Sequence, residues 1–384
     1  MSAPLPLRLA VYHDTGYTRR DGGTYTDRAL VVFLAGVARR LERLILLGQL
    51  DPDLPRAHYR VPDEIEFAAL PRYPHLLDPR SLPGMIGSLR RFWGVLGEVD
   101  MVWLLGPHPL CLAYAGLARL RGRRVALGVR QDFHAYTRSR HPGRRLVHLA
   151  GDLLEGAYRL LARRCPTVVV GPALARNYSR ARRLLPISVS LVRDADLAEP
   201  AEAAEREWSD NPRVLSVGRL ETEKNPLLLP EVLDQLGDGW RMVVCGEGPL
   251  EPDLRRRIEQ LGLNGRVELP GYLPIHGGLM DLYRSADAFL HVSWTEGVPQ
   301  VLLEAFAAGV PVVATAVGGV PDAVGDAALL IPPGDPGAAV RALVRLADEP
   351  ELRRTLVERG LERVRPRTLE AEAGRVAEFL HSAD

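Results

Sequence analysis

One lysine, Lys224, stands among the 49 basic residues of this 384-residue chain. Chemistry that needs an ammonium rather than a guanidinium therefore has a single place to occur, and a sequence that uses arginine everywhere else implies that arginine does not fit there. Cysteine is equally scarce. Cys111, Cys165 and Cys245 are odd in number, far apart, and each lies in or beside an apolar run, so they read as buried reduced thiols and leave out a disulfide framework or a cysteine metal set. No apolar run approaches the length of a membrane span, and Met1 to Arg8 lacks the charged-then-apolar order of a signal peptide. A cytoplasmic protein is expected.

What is present is an ordinary globular composition, 46% hydrophobic and 25% charged, in a chain long enough for two domains with full cores. The net charge of +1 hides an asymmetry: residues 1–195 hold 30 arginines against 16 acids, leaving 19 basic and 32 acidic residues in the rest. Arginine clusters at 119–124, 138–145 and 180–183 make the first half a candidate for peripheral association with anionic membrane surfaces. Nucleic acid is not expected, since the clusters lack interleaved aromatics.

Strand-like and helix-like runs alternate along the chain. In the first half strands are expected at Leu7 to Tyr12, Arg43 to Leu47, Ile65 to Leu70, Met101 to Leu105, Val125 to Val129, Thr167 to Val170 and 188–192, with helices near 26–41, 85–97, 109–120, 145–163 and 173–184. Residues 193–210 read as a linker. A second alternating series runs from Val214 to about 360, and a last helix covers about 368–381. Alternation of this kind predicts an α/β fold of two doubly wound parallel sheets, whose ligands bind at the carboxyl ends of strands.

The densest stretch is Trp294-Thr-Glu-Gly-Val-Pro-Gln-Val-Leu-Leu-Glu304-Ala-Phe-Ala-Ala-Gly309. Pro299 suits the first turn of a helix and Gly309 its stop. The helix between them is apolar on most sides, so an ionised Glu304 is costly unless something hydrogen-bonds it, such as a pair of ligand hydroxyls. The alternative is that Gln300 and Glu304 form a thin solvent-facing stripe. Elsewhere, Val217-Gly218-Arg219-Leu-Glu-Thr-Glu-Lys224 is a strand end, a glycine turn and a helix start, a place that favours anions, with Arg219 a fork and Lys224 a point charge for phosphate. Asp21-Gly22-Gly23-Thr24 precedes the 26–41 helix and reads either as an anion-binding helix entry or as a flexible turn. Gly246-Glu-Gly248 lacks the third glycine of a dinucleotide fingerprint.

Glu296-x7-Glu304, Leu-Leu-Glu-Ala, Gly-Val-Pro-Val-Val-Ala-Thr315 and Gly318-Gly-Val-Pro-Asp322 resemble the retaining, nucleotide-sugar-dependent glycosyltransferases of family 4, densely from Val214 to Gly334 and more loosely before. The resemblance implies the GT-B fold: two Rossmann-like domains across a cleft, an acceptor-binding domain at 1–195 and a donor-binding domain at 196–365, with residues 366–384 returning to the first. It implies that Glu296 lies by the donor sugar with Gly297, Val298 and Pro299, that Glu304 binds the ribose, and that Arg219 and Lys224 hold the diphosphate beside Gly218. Gly22 and Gly23 would face that diphosphate; Gly246 would lie near the donor, Tyr272 and Leu273 where the base is held, and Gly318 and Gly319 near the sugar, the last two alternatively serving only a turn. Asp132 and His134 follow a strand where the family often has a His-Asp pair near sugar or acceptor, in a departing order.

The expected function is transfer of a sugar from a UDP- or GDP-sugar donor to a hydroxyl acceptor (sugar, glycolipid or small molecule) with retention, without metal or other cofactor. Asp51/Asp53 and Asp194/Asp196 have the spacing of metal-binding acids in the other large glycosyltransferase fold, but lie in a loop and a linker. Alternatives are a non-catalytic nucleotide-sugar-binding subunit and a same-fold epimerase or phosphorylase; a pyridoxal phosphorylase would need for its Schiff base the lysine already assigned to the diphosphate.

Overall fold

The computed structural model describes residues 3–54, 57–73, 78–140, 143–297 and 299–383. The chain divides into two compact units, residues 1–189 with 370–384, and residues 190–369.

The first unit contains β1 (Leu5–Arg20), β2 (Gly23–Thr26), α1 (Leu30–Ala38), β3 (Leu41–Leu50), β4 (Tyr59–Arg60), β5 (Glu66–Leu70), α2 (Leu82–Val95), β6 (Met101–Gly106), α3 (Pro109–Leu120), β7 (Arg124–Val129), α4 (Phe133–Arg140), α5 (Arg145–Ala162), β8 (Pro166–Val170), α6 (Pro172–Asn177) and β9 (Arg183–Ile187). Strands β5-β3-β1-β6-β7-β8-β9 run parallel. Period-two alternation explains the layering: Ala10 and Tyr12 of β1 face one core with Phe92 and Tyr114, while Leu9 and Val11 face the other with Phe33 and the last helix.

Three local expectations are corrected. β1 does not end at Tyr12 but continues to Arg20 and pairs with β2 through a hairpin whose two turn residues, Asp21 and Gly22, have φ of 47° and 74°. Asp-Gly between β-forming flanks is a hairpin turn, and it removes Gly22 and Gly23 from any helix N-terminus, since α1 starts only at Leu30. The 173–184 helix stops at Asn177, and the following strand is Arg183–Ile187 rather than 188–192. Pro186 is tolerated because β9 is an edge strand. The 193–210 segment carries a turn of 3-10 helix at Asp194–Asp196 and α7 (Pro200–Ala204).

The second unit follows with β10 (Arg213–Val217), α8 (Leu228–Leu236), β11 (Arg241–Cys245), α9 (Glu251–Gln260), β12 (Val267–Gly271), α10 (Met280–Arg284), β13 (Ala288–His291), α11 (Gln300–Ala307), β14 (Val312–Thr315), α12 (Val320–Val324), β15 (Ala328–Ile331), α13 (Pro336–Asp348) and α14 (Pro350–Val364). Its all-parallel sheet has the order β12-β11-β10-β13-β14-β15. The winding therefore reverses between β10 and β13, and the carboxyl ends of the strands at such a reversal are where open α/β sheets accept ligands.

α15 (Leu369–His381) packs Ala373, Val376, Ala377 and Leu380 into the first unit's core, where buried Glu372 accepts the Ser188 backbone N–H at 2.9 Å. Among the described residues no helix is long and apolar enough to cross a membrane.

Candidate functional site

Two loops leave the sheet of the second unit on either side of its winding reversal. After β10, Gly218 and Arg219 lead into a 3-10 turn, Thr222–Lys224, closed by Asn225 in the left-handed region at φ 52°. After β13 the chain runs through Ser293 to Glu296. The Trp294 N–H donates to the Glu223 carbonyl at 2.8 Å and so ties the loops together. Their side chains meet as well: Lys224 Nζ lies 2.5 Å from Glu296 Oε1.

The same oxygen accepts from Ser293 Oγ at 2.8 Å and from His291 Nε2 at 3.0 Å, and Thr315 of β14 holds the Ser293 carbonyl at 2.9 Å. His291 Nδ1 is buried without a hydrogen-bond partner among the described residues, which assigns the ring proton to Nε2, facing the carboxylate. Burial pushes the Glu296 carboxyl up, but the His291 hydrogen bond and the Lys224 ammonium outweigh it and hold the group down at about 2. Glu296 is a fixed anion.

Glu304 is different. It sits in α11 between buried Leu303, Ala305 and Phe306, and is itself only 6% exposed, so the solvent-facing stripe does not exist. Tyr283 Oη, from α10, is 2.9 Å from Glu304 Oε2 and 3.2 Å from the Val301 carbonyl. Burial raises the carboxyl to about 7, with the tyrosine hydrogen bond only partly opposing it. A buried carboxyl with this little compensation gains from any further hydroxyl donors brought to it.

Glycine serves close approach between these loops. A Cβ on Gly318, at φ 51°, would overlap the Glu296 carbonyl and one on Gly319 the Gly297 carbonyl, while the Gly319 N–H donates to Glu296 O at 3.2 Å. Gly318 and Gly319 thus press on the backbone that carries Glu296, and Gly246 approaches Gly218 in the same way. Gly246 N donates to the Gly271 carbonyl at 2.9 Å, beside half-buried Tyr272 and Leu273. Pro299 is the N-cap of α11, and Val298 lies outside the described residues.

Arg219 is not in the Lys224–Glu296 cluster: its guanidinium, 60% exposed, pairs with Glu221 at 2.6 Å and Glu223 at 2.7 Å. Exposed pairs of this kind hold weakly, so the group is easily redirected to a stronger anion. Sequence reasoning missed Tyr283, His291 and Ser293. His291 and Ser293 had a signal, polar residues at the carboxyl end of an apolar strand; Tyr283 had none, because only the packing of α10 on α11 brings it to Glu304.

In the first unit, Asp132 accepts from Asn177 at 3.0 Å, and His134, half exposed, joins Asp152 at 2.7 Å, with Arg138 on the same carboxylate at 2.9 Å. Neither lines a cavity of about 880 Å³ in this unit, which is bordered instead by Asp14 of β1, Gln49 of β3, Tyr73 and His108 from the loops after β5 and β6, and Phe133, Tyr136, Ala150 and Leu154 of α4 and α5. Asp14 Oδ2 is 3.2 Å from His108 Nε2 and Asp14 Oδ1 3.3 Å from Gln49 Nε2. Asp51 and Asp53 both pair with Arg72, and Asp196 accepts the Arg193 backbone N–H.

Residues 199–363 match the family described as "Glycosyl transferases group 1". The chain is 29% identical over 236 residues to the alpha-D-kanosaminyltransferase of Streptomyces kanamyceticus, covering 57% of this chain and 61% of that protein. It is 33% identical over 182 residues to the D-inositol 3-phosphate glycosyltransferase of Corynebacterium glutamicum, covering 44% and 43%. It thus spans less than two thirds of the length of these curated relatives. Among solved structures, Anabaena HepE in complex with UDP and glucose superposes with a TM-score of 0.67 at 16% identity, covering 98% of this chain and all of that one. The fold is GT-B.

Proposed function

We propose that this chain, a GT-B protein whose second unit carries the group 1 glycosyltransferase domain, transfers a sugar from a nucleotide diphosphate donor to a hydroxyl acceptor with retention of configuration. The observation that carries the proposal is the Lys224–Glu296 contact, 2.5 Å, at the winding reversal of the second unit's sheet. A sugar nucleotide develops negative charge on its diphosphate and positive charge on its sugar as the bond between them breaks. A compact ammonium beside a fixed carboxylate offers one charge to each. Lys224 and the redirected Arg219 take the diphosphate, Glu296 the sugar, and Glu304 the ribose hydroxyls of a UDP- or GDP-sugar.

Retention then follows from front-face attack. The acceptor oxygen bonds to the anomeric carbon as the anomeric C–O bond to phosphate breaks, and the acceptor proton passes to the departing phosphate oxygen. No protein nucleophile and no metal enter this scheme. We assign the acceptor to the first unit's cavity and the protein to the cytoplasm, in contact with anionic membrane through its arginine-rich first half.

The test is donor-side and needs no acceptor. UDP, GDP and ADP are screened for thermal stabilisation, which rises with affinity, and UDP- and GDP-sugars for slow hydrolysis, with the anomer released read by NMR. Stabilisation by one diphosphate with hydrolysis of its sugar supports an enzyme; stabilisation without hydrolysis or transfer supports a binding subunit, and none at all defeats the reading.

A further inference from the structure

α5 shows one face to the first unit's core, burying Leu154, Glu155, Tyr158 and Ala162. On the outer face, Leu146, Leu149, Leu153 and Leu160 are 83%, 56%, 67% and 59% exposed. They recur three, four and seven residues apart and so form one stripe along the helix. A single exposed leucine needs no explanation, but four on one helix face mark a surface that is covered by something. The two acids of the helix do not face outward with them: Asp152 is taken up by Arg138 at 2.9 Å and Glu155 by Arg159 at 3.1 Å. Exposed arginines stand at both ends, Arg144 and Arg145 at one, Arg163 and Arg164 at the other.

We propose that α5 lies in the surface of an anionic lipid bilayer, with its leucines at the acyl boundary and its terminal arginines on headgroup phosphates. The charge distribution selects this occupant. A second copy packed two-fold on the same stripe would set arginine against arginine whichever way the helices ran, whereas anionic headgroups complement both ends. Ala150, exposed beside Leu149 and Leu153, also borders the first unit's cavity, so docking sets the rim of that cavity at headgroup depth.

The experiment is flotation of the intact chain with vesicles of phosphatidylcholine mixed with phosphatidylglycerol, and with vesicles of phosphatidylcholine alone, in the absence of nucleotide. The chain is expected to float with the mixed vesicles, and Leu149→Ala/Leu153→Ala to lower its apparent affinity on the order of 10- to 100-fold, by removing apolar area that inserts. Both leucines are exposed, so the variant should keep the parental melting temperature. Because the three native cysteines are buried, Leu149→Cys takes an environment-sensitive fluorophore selectively and should brighten on the mixed vesicles. The proposal is overturned by absence of flotation, by flotation that the double variant leaves unchanged, which would leave the arginines acting alone, or by a lipid-free dimer that the double variant dissolves. None of these outcomes depends on the donor site.

Discussion

Glu296 and Glu304 belong to one strand-loop-helix unit, one half-buried and the other buried, and their environments drive them apart. The loop carboxylate is held at about 2 and the helix carboxyl is raised to about 7. Burial pushes both upward, so the difference lies in their partners. Glu296 Oε1 receives an ammonium, an imidazole N–H and a hydroxyl, whereas the one side chain bonded to Glu304 among the described residues is Tyr283. The loop residue is thus a permanent charge fixed against its lysine. The helix residue is poised near neutrality, and ligand hydroxyls can move it.

The largest effect should come from disturbing the fixed charge. Lys224→Arg keeps the charge but replaces a compact ammonium, 2.5 Å from Glu296, by a wider planar group that also competes with Arg219. Turnover is expected to fall roughly 10- to 1000-fold, the scale of one preorganised electrostatic contact, with donor affinity reduced much less. Steady-state kinetics with saturating donor check this, and near-parental turnover would show Lys224 to be a bystander. Glu304→Ala comes next: losing hydrogen bonds from ribose to a carboxylate, each worth about 1.5 to 3 kcal/mol, should weaken nucleoside diphosphate binding while sparing turnover at saturation.

The opposed carboxyls also predict opposed pH dependences of stability. Between about pH 4.5 and 7 the folded chain keeps a proton on Glu304 that the unfolded chain has released. The Glu304 contribution is therefore fully present below pH 4.5 and lost as pH rises to about 7, at up to about 1.4 kcal/mol per pH unit. Between about pH 4.5 and 2 the unfolded chain binds a proton that Glu296 refuses, so the Glu296 contribution is lost as pH falls, with a similar limiting slope. Urea unfolding across pH, comparing the parent with Glu304→Gln and with Glu296→Gln, should flatten the upper window in the first variant and the lower one in the second. The smallest effect is Tyr283→Phe, which removes one hydrogen bond from Glu304; a loss of about 1 kcal/mol in stability at pH 5 is expected, with the Glu304 titration moved further up.

The second unit was legible because its chemistry is written in short stretches whose backbone is regular: Pro299 and Gly309 bracket α11, and Arg219 and Lys224 follow β10 as their spacing requires. What the residues could not announce was the contact between Lys224 and Glu296, which arises where β10 and β13 become neighbours across the sheet. The first unit was harder for the same reason. Asp14, Gln49, Tyr73 and His108 reach one cavity from two strands and two separate loops, with no motif to join them, while His134 and Asp132, which did have a local pattern, pair with Asp152 and Asn177 instead. Local ambiguity explains the misread hairpin, since a Gly-Gly pair ahead of a helix looks alike whether the turn before it is Asp-Gly or not. The α5 leucines were hidden because an apolar helical stripe ordinarily implies core.

The division of labour between the two carboxyls is tested most directly by calorimetric titration of the preferred nucleoside diphosphate, UDP or GDP, into Glu304→Gln and Glu296→Gln side by side. Loss of the ribose acceptor should weaken binding roughly 10-fold or more in Glu304→Gln, as expected for a charged hydrogen bond, while Glu296→Gln should bind within about threefold of the parent. Parental affinity in Glu304→Gln, or the larger loss in Glu296→Gln, would contradict the account.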